Sequence, residues 1–299
     1  MPSSALRVPR KDETDWSSLL AGQGYCIIPD LMPAAKVRAL HADLQPRLDR
    51  TPFCEGSFYG QRTKRFGGLL KRTPHAAEFV QHPLVLDAVQ TILGPFCDRI
   101  QLNLAQIIDI WPGEPEQVPH RDQDMWGGPK GEMEYLVNVI WPLSPFRREN
   151  GATVLWPGSH GRRCGEKPGR DEAVYAEMDP GSALLFLGSA MHCGGANRTQ
   201  LPRTAMVVGY SLGWLKPHEA QWLVYPPDVA RTFAPDLAAL VGYQQHRPNL
   251  GNYEGQCPSV LLRDDVPDYL GAVDSLRDDQ VKATAEYKAR QMAKGPKPL

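Results

Sequence analysis

The sequence predicts a mainly β protein with flanking helices, folded as a sandwich or jelly roll. Three observations predict it. Between residues 100 and 215, short β-prone segments alternate with turns and no helical periodicity interrupts them. Glycine and proline number 27 and 28 in 299 residues, which suits many short strands and tight turns better than a helical bundle. The clear helical patterns fall before residue 95, and a mixed helical region follows Pro217, so helices flank a β core rather than build it.

In order, a polar arm leads to residues 16–21, a short helix stopped by Gly22 and Gly24, and Tyr25-Cys26-Ile27-Ile28 reads as a brief buried strand. From 33 to 48 the apolar residues Val37, Leu40, Leu44 and Leu48 recur at helical spacing, with Pro33 where a helix begins. Residues 51–74 are rich in Gly, Arg and Lys, carry Phe53, Phe58, Tyr59 and Phe66, and show little periodicity. They read as a solvated loop, or as a mobile lid whose Lys64, Arg65, Lys71 and Arg72 could meet an acidic ligand. A second amphipathic helix spans 76–93 and ends at Gly94-Pro95. The alternation of Ile100, Leu102, Leu104, Ile108 and Ile110 predicts a strand over 100–110. Further strands are predicted over 135–141, over 152–156 after the Asn150-Gly151 turn, over 182–187 and over 204–212. The chain ends in a charged tail at 277–298. With no internal repeat and no composition break, residues 1–299 read as one domain, with N-terminal helices at 15–95, a β core at 100–215 and a C-terminal helical extension at 216–299.

Apolar residues make up 42% and charged residues 22%, ordinary for a globular protein long enough to bury a large core. The formal net charge of -1 gives no field for nucleic acid or an anionic membrane, so small molecules are the expected partners. Six scattered cysteines without a C-x-x-C pair exclude a zinc ribbon and a dense disulfide framework. The first fifteen residues carry charge but no apolar core, and no apolar run approaches membrane length. A reduced, cytoplasmic setting is the expectation.

The chemistry centres on Pro119-His120-Arg121-Asp122-Gln123-Asp124. In an extended strand His120 and Asp122 project from the same face, so imidazole and carboxylate converge on one point. A two-histidine-one-carboxylate metal site needs a third ligand from elsewhere. His41 lies in a charged helix, His75 and His82 flank a helix start, His160 sits in a Pro-Gly-Ser-His turn, and His218 and His246 fall in the C-terminal helical region. His192 is the best candidate, because it follows the apolar strand Ala183-Leu184-Leu185-Phe186-Leu187 and precedes Gly194-Gly195, where backbone can pass close to a bound group. Asp124 shares the parity of Asp122 and is a rival carboxylate. Arg203, eleven residues beyond His192, opens the strand carrying Ala205, Val207 and Gly209. It is either a surface arginine or a cation aimed into the barrel, and in the second case it needs an anion. A dicarboxylic cosubstrate, one end on iron and the other held bidentate by Arg203, would supply one.

The ordered set His120-x-Asp122, Glu149-Asn150-Gly151-Ala152-Thr153, Pro157-Gly158-Ser159-His160, His192 and Arg203 resembles the phytanoyl-CoA dioxygenase family of Fe(II)- and 2-oxoglutarate-dependent oxygenases. The resemblance covers roughly residues 15–215. The chain's size, the Pro112-Gly113-Glu114 segment and Gln117 look most like the fungal-type branch acting on meroterpenoids and other natural products. It implies a double-stranded β-helix, the cupin-like jelly roll, working with Fe(II), 2-oxoglutarate and O2. By the same resemblance His120, Asp122 and His192 are the catalytic iron ligands, Arg203 holds the distal carboxylate of 2-oxoglutarate, and Gln117 and Thr153 help bind the cosubstrate. The family pattern stops at Asp122 and leaves Asp124 out. The implied reaction oxidises a C–H bond of a small hydrophobic natural product while 2-oxoglutarate becomes succinate and carbon dioxide. Hydroxylation leads, with desaturation, rearrangement and endoperoxidation open. Related halogenases replace the carboxylate, so Asp122 argues against halogenation.

Met125 and Trp126 just after the metal motif, Tyr59 and Phe66 in the 51–74 segment, and residues 210–214 are candidate substrate contacts. Tyr210 has the strand parity opposite to Arg203 and reaches the same cavity only through a bulge. Two rival functions stay open. One is acyl-CoA 2-hydroxylation of the phytanoyl-CoA type, for which only the basic cluster at 61–72 offers a nucleotide patch; the other is a non-catalytic ligand-binding jelly roll. Beyond residue 215 the resemblance gives no match, and that region could shape the pocket or a homodimer contact.

Overall fold

The computed structural model describes residues 14–293. The reading of the first thirteen residues as a polar arm, and that of the end of the charged tail, lie outside the described residues. Helix α1 (Trp16–Gln23) is capped by Asp15, whose carboxylate accepts the Ser18 N–H and hydroxyl. Gly24 then ends it in the left-handed region at φ 85°. Helix α2 (Ala34–Arg50) buries Val37, Leu40, Leu44 and Leu48, the stripe its periodicity predicts. The single helix expected over 76–93 is two, α3 (Ala76–Val80) and α4 (Pro83–Leu93). Pro83 disfavours helical backbone at the preceding residue, and His82 is extended at ψ 122°.

The major layer is an antiparallel sheet of six strands, in the order β1 (Tyr25–Ile28), β7 (Ala183–Leu187), β4 (Leu136–Pro142), β9 (Arg203–Leu212), β3 (Ile100–Ile110) and β2 (Thr63–Phe66). A minor sheet of three holds β6 (Val174–Tyr175), β5 (Val154–Leu155) and β8 (His192–Cys193). Neighbours in space are mostly distant in sequence, the crossing connectivity of a jelly roll. The core lies between the layers, where Leu104, Ile140, Phe186 and Val207 of the major sheet pack with Leu155 of the minor one.

Two features of the major sheet shape the site. β2 falls inside the segment expected to be loop. Thr63-Lys64-Arg65-Phe66 has no apolar alternation, and its strand character comes from pairing with β3, from Thr63↔Ile110 to Phe66↔Ile107. Charged residues are also what an edge strand tolerates. β3 itself shifts register between Leu102 and Leu104. Leu102 therefore pairs with Tyr210 and Leu104 with Gly209, so the two leucines predicted to share a face are separated by the bulge at Asn103.

By their contacts the residues divide into two compact units, with the division after Val224. The boundary lies beyond residue 215 because the next segment packs on β3: the N–H of His218 donates to Asn103 Oδ1, and those of Glu219 and the Gln221 amide to the Asn103 carbonyl. Among the described residues, the unit from Tyr225 holds three α-helices, α6 (Pro227–Ala230), α7 (Pro235–Leu240) and α8 (Asp278–Ala293), and α8 buries none of its residues. Short helix α5 (Gln221–Val224) closes the first unit. Among the described residues no helix is long and apolar enough to cross a membrane.

Candidate metal centre and cosubstrate cavity

His120 and His192 face each other across an isolated antiparallel bridge, each N–H donating to the other's carbonyl at 3.0 Å. Arg121 is still extended, but Asp122 opens a 3-10 turn that runs to Met125. The convergence expected of a continuous strand is thus made by a bridge followed by a turn, because the chain leaves the sheet at this point. His120 Nε2 lies 3.4 Å from Asp122 Oδ1, and His192 Nε2 lies 3.5 Å from Oδ2. One donor atom from each residue falls within 4.8 Å of the others, the only such cluster among the described residues.

The surroundings prepare these groups for a cation. His120 Nδ1 sits 2.9 Å from the Val118 carbonyl and His192 Nδ1 3.1 Å from that of Ala190, so Nδ1–H is used outward and Nε2 is left for a metal. Asn138, in the middle of β4, donates from Nδ2 to Asp122 Oδ2 at 2.8 Å. Burial opposes ionisation of Asp122, but the charge of His192 and the hydrogen bonds from both histidines outweigh it and hold the carboxyl well below the usual range. Burial likewise opposes charge on His120, and there the hydrogen bond and charge of Asp122 prevail and raise its pKa. Two imidazoles and one ionised carboxylate beside an open cavity are the donor set of a non-haem iron site with coordination positions to spare.

The cavity beside this cluster has a volume of about 410 Å³. At its inner end Arg203, 3% exposed, donates from Nε and one terminal nitrogen to the Gly151 carbonyl at 3.1 and 2.7 Å. Its guanidinium lies 4.2 Å from the Phe146 ring centroid and makes no ion pair among the described residues. Burial, reinforced by the like charge of Arg65 and opposed by Asp109, pushes Arg203 down to about 9. The Asn150-Gly151 turn belongs to this anchor. Asn150 Oδ1 accepts the Arg147 N–H, and Gly151 stands at φ 93°, where a Cβ would meet the Gly195 carbonyl at 2.7 Å.

Arg65 is the one of the four basic residues of the 51–74 segment that lines the cavity. Strand alternation turns Arg65 into the cavity and sends Lys64 and Phe66 to the opposite face. Its Nε is buried without a partner, and its guanidinium lies 4.8 Å from the Tyr59 ring centroid. Burial lowers its pKa, although the charge of Asp122 is among the groups acting the other way. Of the four basic residues predicted to meet an acidic ligand, the others are engaged elsewhere: Lys64 with the Leu48 carbonyl, Lys71 with that of Val224 and Arg72 with that of Gly67. Gln117 and Thr153 both line the cavity. The Gln117 amide joins two segments, donating to the Phe58 carbonyl at 3.0 Å and accepting the Gly194 N–H at 3.2 Å.

The expected substrate contacts divide. Tyr59 and Met125 line the cavity mouth, with Phe58, whose ring meets His120 edge-on at 4.9 Å. Trp126 and Phe66 do not. Trp126 leaves the cavity because its indole N–H is held by the Lys216 carbonyl at 3.0 Å, and Phe66, by strand parity, faces a separate outer groove under Arg47. Asp124 and His218 are at the mouth, so the histidine set aside as C-terminal is part of the site. Tyr210 stays outside it and donates to the Val80 carbonyl at 2.5 Å, since the bulge falls on β3 and not on β9.

A jelly roll with two histidines and a carboxylate at its mouth defines the class of non-haem iron oxygenases. Comparison with known proteins agrees: residues 20–205 match the model of the phytanoyl-CoA dioxygenase (PhyH) family, and the chain belongs to that family. It is a 2-oxoglutarate-dependent non-haem iron dioxygenase, with Fe(II), 2-oxoglutarate and O2 as its cofactor and cosubstrates. It is 27% identical to dioxygenase swnH1 of Arthroderma benhamiae over 88% of this chain and 94% of the relative. It is 28% identical to dioxygenase FUM3 of Gibberella moniliformis over 75% of this chain and 80% of that one. Among solved structures it is similar in fold to the non-haem α-ketoglutarate-dependent carbocyclase SnoK from nogalamycin biosynthesis, with TM-score 0.56 and 17% identity over 69% of this chain and 92% of that one.

Proposed function

We propose that His120, Asp122 and His192 hold the iron, that Arg203 and Arg65 hold the two carboxylates of 2-oxoglutarate, and that the enzyme oxidises a C–H bond of a small hydrophobic natural product. The observation that carries this reading is the meeting of three donor atoms within 4.8 Å in a cavity with two guanidiniums, Arg203 buried and Arg65 half-buried, that lack carboxylate partners. One dianion would satisfy both guanidiniums, and a fork on each end fixes its direction. When bound, iron would activate O2, the oxidant, whose four-electron reduction couples decarboxylation of 2-oxoglutarate to succinate with two-electron oxidation of the substrate.

The chain's own residues do the rest. Asp122 arrives ionised, so no proton has to leave it before a cation is bound. The Val118 and Ala190 carbonyls fix the tautomer of both imidazoles. Arg203 keeps the distal carboxylate at the apolar end, with Thr153 beside it in the cavity wall. Phe58 shields His120, and Gln117 ties that loop to Gly194, close to His192. Phe58, Tyr59 and Met125, all exposed, give the mouth an apolar surface suited to a hydrophobic substrate. Fungal dioxygenases among the relatives, and neighbours from nogalamycin biosynthesis, support a secondary metabolite as the substrate class. A cytoplasmic location suits the six free cysteines, and exposed α8 is a candidate homodimer contact.

Air incubation with Fe(II) and 2-oxoglutarate tests the reading. Succinate is expected from the wild type and none from His192→Ala. A folded wild type that binds neither metal nor cosubstrate would return the fold to a non-catalytic binding role.

A further inference from the structure

Arg121 stands between two of the three metal-binding side chains, yet its own side chain leaves on the far side. Arg121 is 8% exposed, and its guanidinium meets no carboxylate among the described residues. Instead it is ringed by backbone oxygens. Nε donates to the Ser189 carbonyl at 2.9 Å, and a terminal nitrogen is shared among those of Glu166 at 3.0 Å, Ser159 at 3.1 Å and Arg163 at 3.4 Å. Three chain segments therefore meet on one side chain: 120–122, 159–166 and the turn that leads into His192.

That turn sets the aim of His192. Ser189 precedes Ala190, whose carbonyl receives His192 Nδ1, and Met191 donates its N–H to Ser159 Oγ at 2.9 Å. Glu134 takes the Ser189 hydroxyl at 2.5 Å. Of these holds on the turn, only Arg121 is covalently continuous with both His120 and Asp122.

We infer that Arg121 is a positioning residue of the metal centre, its guanidinium fastening the His120–Asp122 segment to the turn that carries His192. The inference rests on the reading of His120, Asp122 and His192 as the iron site. A planar fork can serve several carbonyls in fixed directions, whereas a lysine offers one compact ammonium and cannot span the same three segments. An apolar side chain would leave the carbonyls unpaired in a buried place. Either change loosens the spacing of the ligand atoms more than it alters the cavity wall.

Anaerobic Fe(II) titration of Arg121→Lys and Arg121→Ala, followed by tryptophan fluorescence, tests this. Tyr210→Phe serves as the stability control, since its hydroxyl binds the Val80 carbonyl outside the cavity. Both Arg121 variants are expected to bind iron about 10- to 100-fold more weakly than wild type. Added guanidinium ion, at concentrations far below denaturing, is expected to recover part of the loss in Arg121→Ala. Tyr210→Phe is expected to melt earlier with unchanged iron affinity. The inference is overturned if folded Arg121→Lys binds iron as wild type does, or if Tyr210→Phe loses iron affinity in proportion to its melting temperature as the Arg121 variants do. If Arg121→Ala does not fold, Arg121→Lys carries the test. A wild type that binds no iron would instead overturn the metal-site reading itself.

Discussion

Replacing Arg203 with methionine is expected to stabilise the cosubstrate-free protein while abolishing cosubstrate binding. The guanidinium is pushed from 12.5 down to about 9 by burial. At about 1.4 kcal/mol per tenfold, holding that charge without an anion costs about 5 kcal/mol. Two hydrogen bonds to the Gly151 carbonyl and the contact with Phe146 return roughly 1 kcal/mol each. The balance favours a methionine of similar length by about 2 kcal/mol, inside the range found when buried ionic groups give way to apolar ones. In a chain of this size that lifts the melting temperature by several degrees. Losing a two-pronged, charge-assisted contact weakens 2-oxoglutarate binding by about 100-fold or more. Thermal melts with and without Fe(II) and 2-oxoglutarate read both effects, because a ligand raises the melting temperature only of a protein that binds it. A lower melting temperature for metal-free Arg203→Met, or an undiminished rise on adding 2-oxoglutarate, would refute the reasoning.

Arg65→Gln should raise the KM for 2-oxoglutarate by about tenfold or more while leaving Fe(II) affinity near wild type, measured by succinate formation and metal titration. Asn138→Leu removes the donor at 2.8 Å from Asp122 Oδ2 and should weaken iron by about tenfold, with the fold intact by circular dichroism. Gly151→Ala places a Cβ 2.7 Å from the Gly195 carbonyl at φ 93°, so it should lower stability by about 1–2 kcal/mol or more and weaken 2-oxoglutarate binding by displacing the Arg203 anchor. Cys193, fully buried with its thiol pushed up to about 12 by burial, should resist alkylation at mildly basic pH until the protein unfolds, as mass spectrometry would report.

The strands that hold the site were legible because each buries a face and so carries an apolar pattern. Ala183–Leu187 and Arg203–Leu212 read correctly to within a residue. The candidate ligands read out for another reason: histidines number only 8 in the chain, and the order of His120-x-Asp122, His192 and Arg203 resembles one family. β2 was not legible, because an edge strand built of Thr63, Lys64, Arg65 and Phe66 takes its conformation from its partner and has no apolar alternation of its own. From sequence Arg65 reads only as one of four basic residues that could meet an acidic ligand: parity assigns a side chain to a cavity only once the residues are known to be a strand. The bulge at Asn103 and the packing of His218 are tertiary events between segments far apart in sequence, and no local pattern records them. Nearness to Asp122 in sequence makes Trp126 a candidate substrate contact, but the turn that opens at Asp122 carries it away to the Lys216 carbonyl.

The central claim is that His120, Asp122 and His192 bind iron(II) with 2-oxoglutarate beside them. Anaerobic addition of both to the purified protein tests it most directly. A weak visible metal-to-ligand charge-transfer band should appear at one equivalent of iron, persist in Tyr210→Phe, and be absent in His120→Ala and in His192→Ala. A folded wild type with no such band, or a band undiminished in both histidine variants, would contradict it.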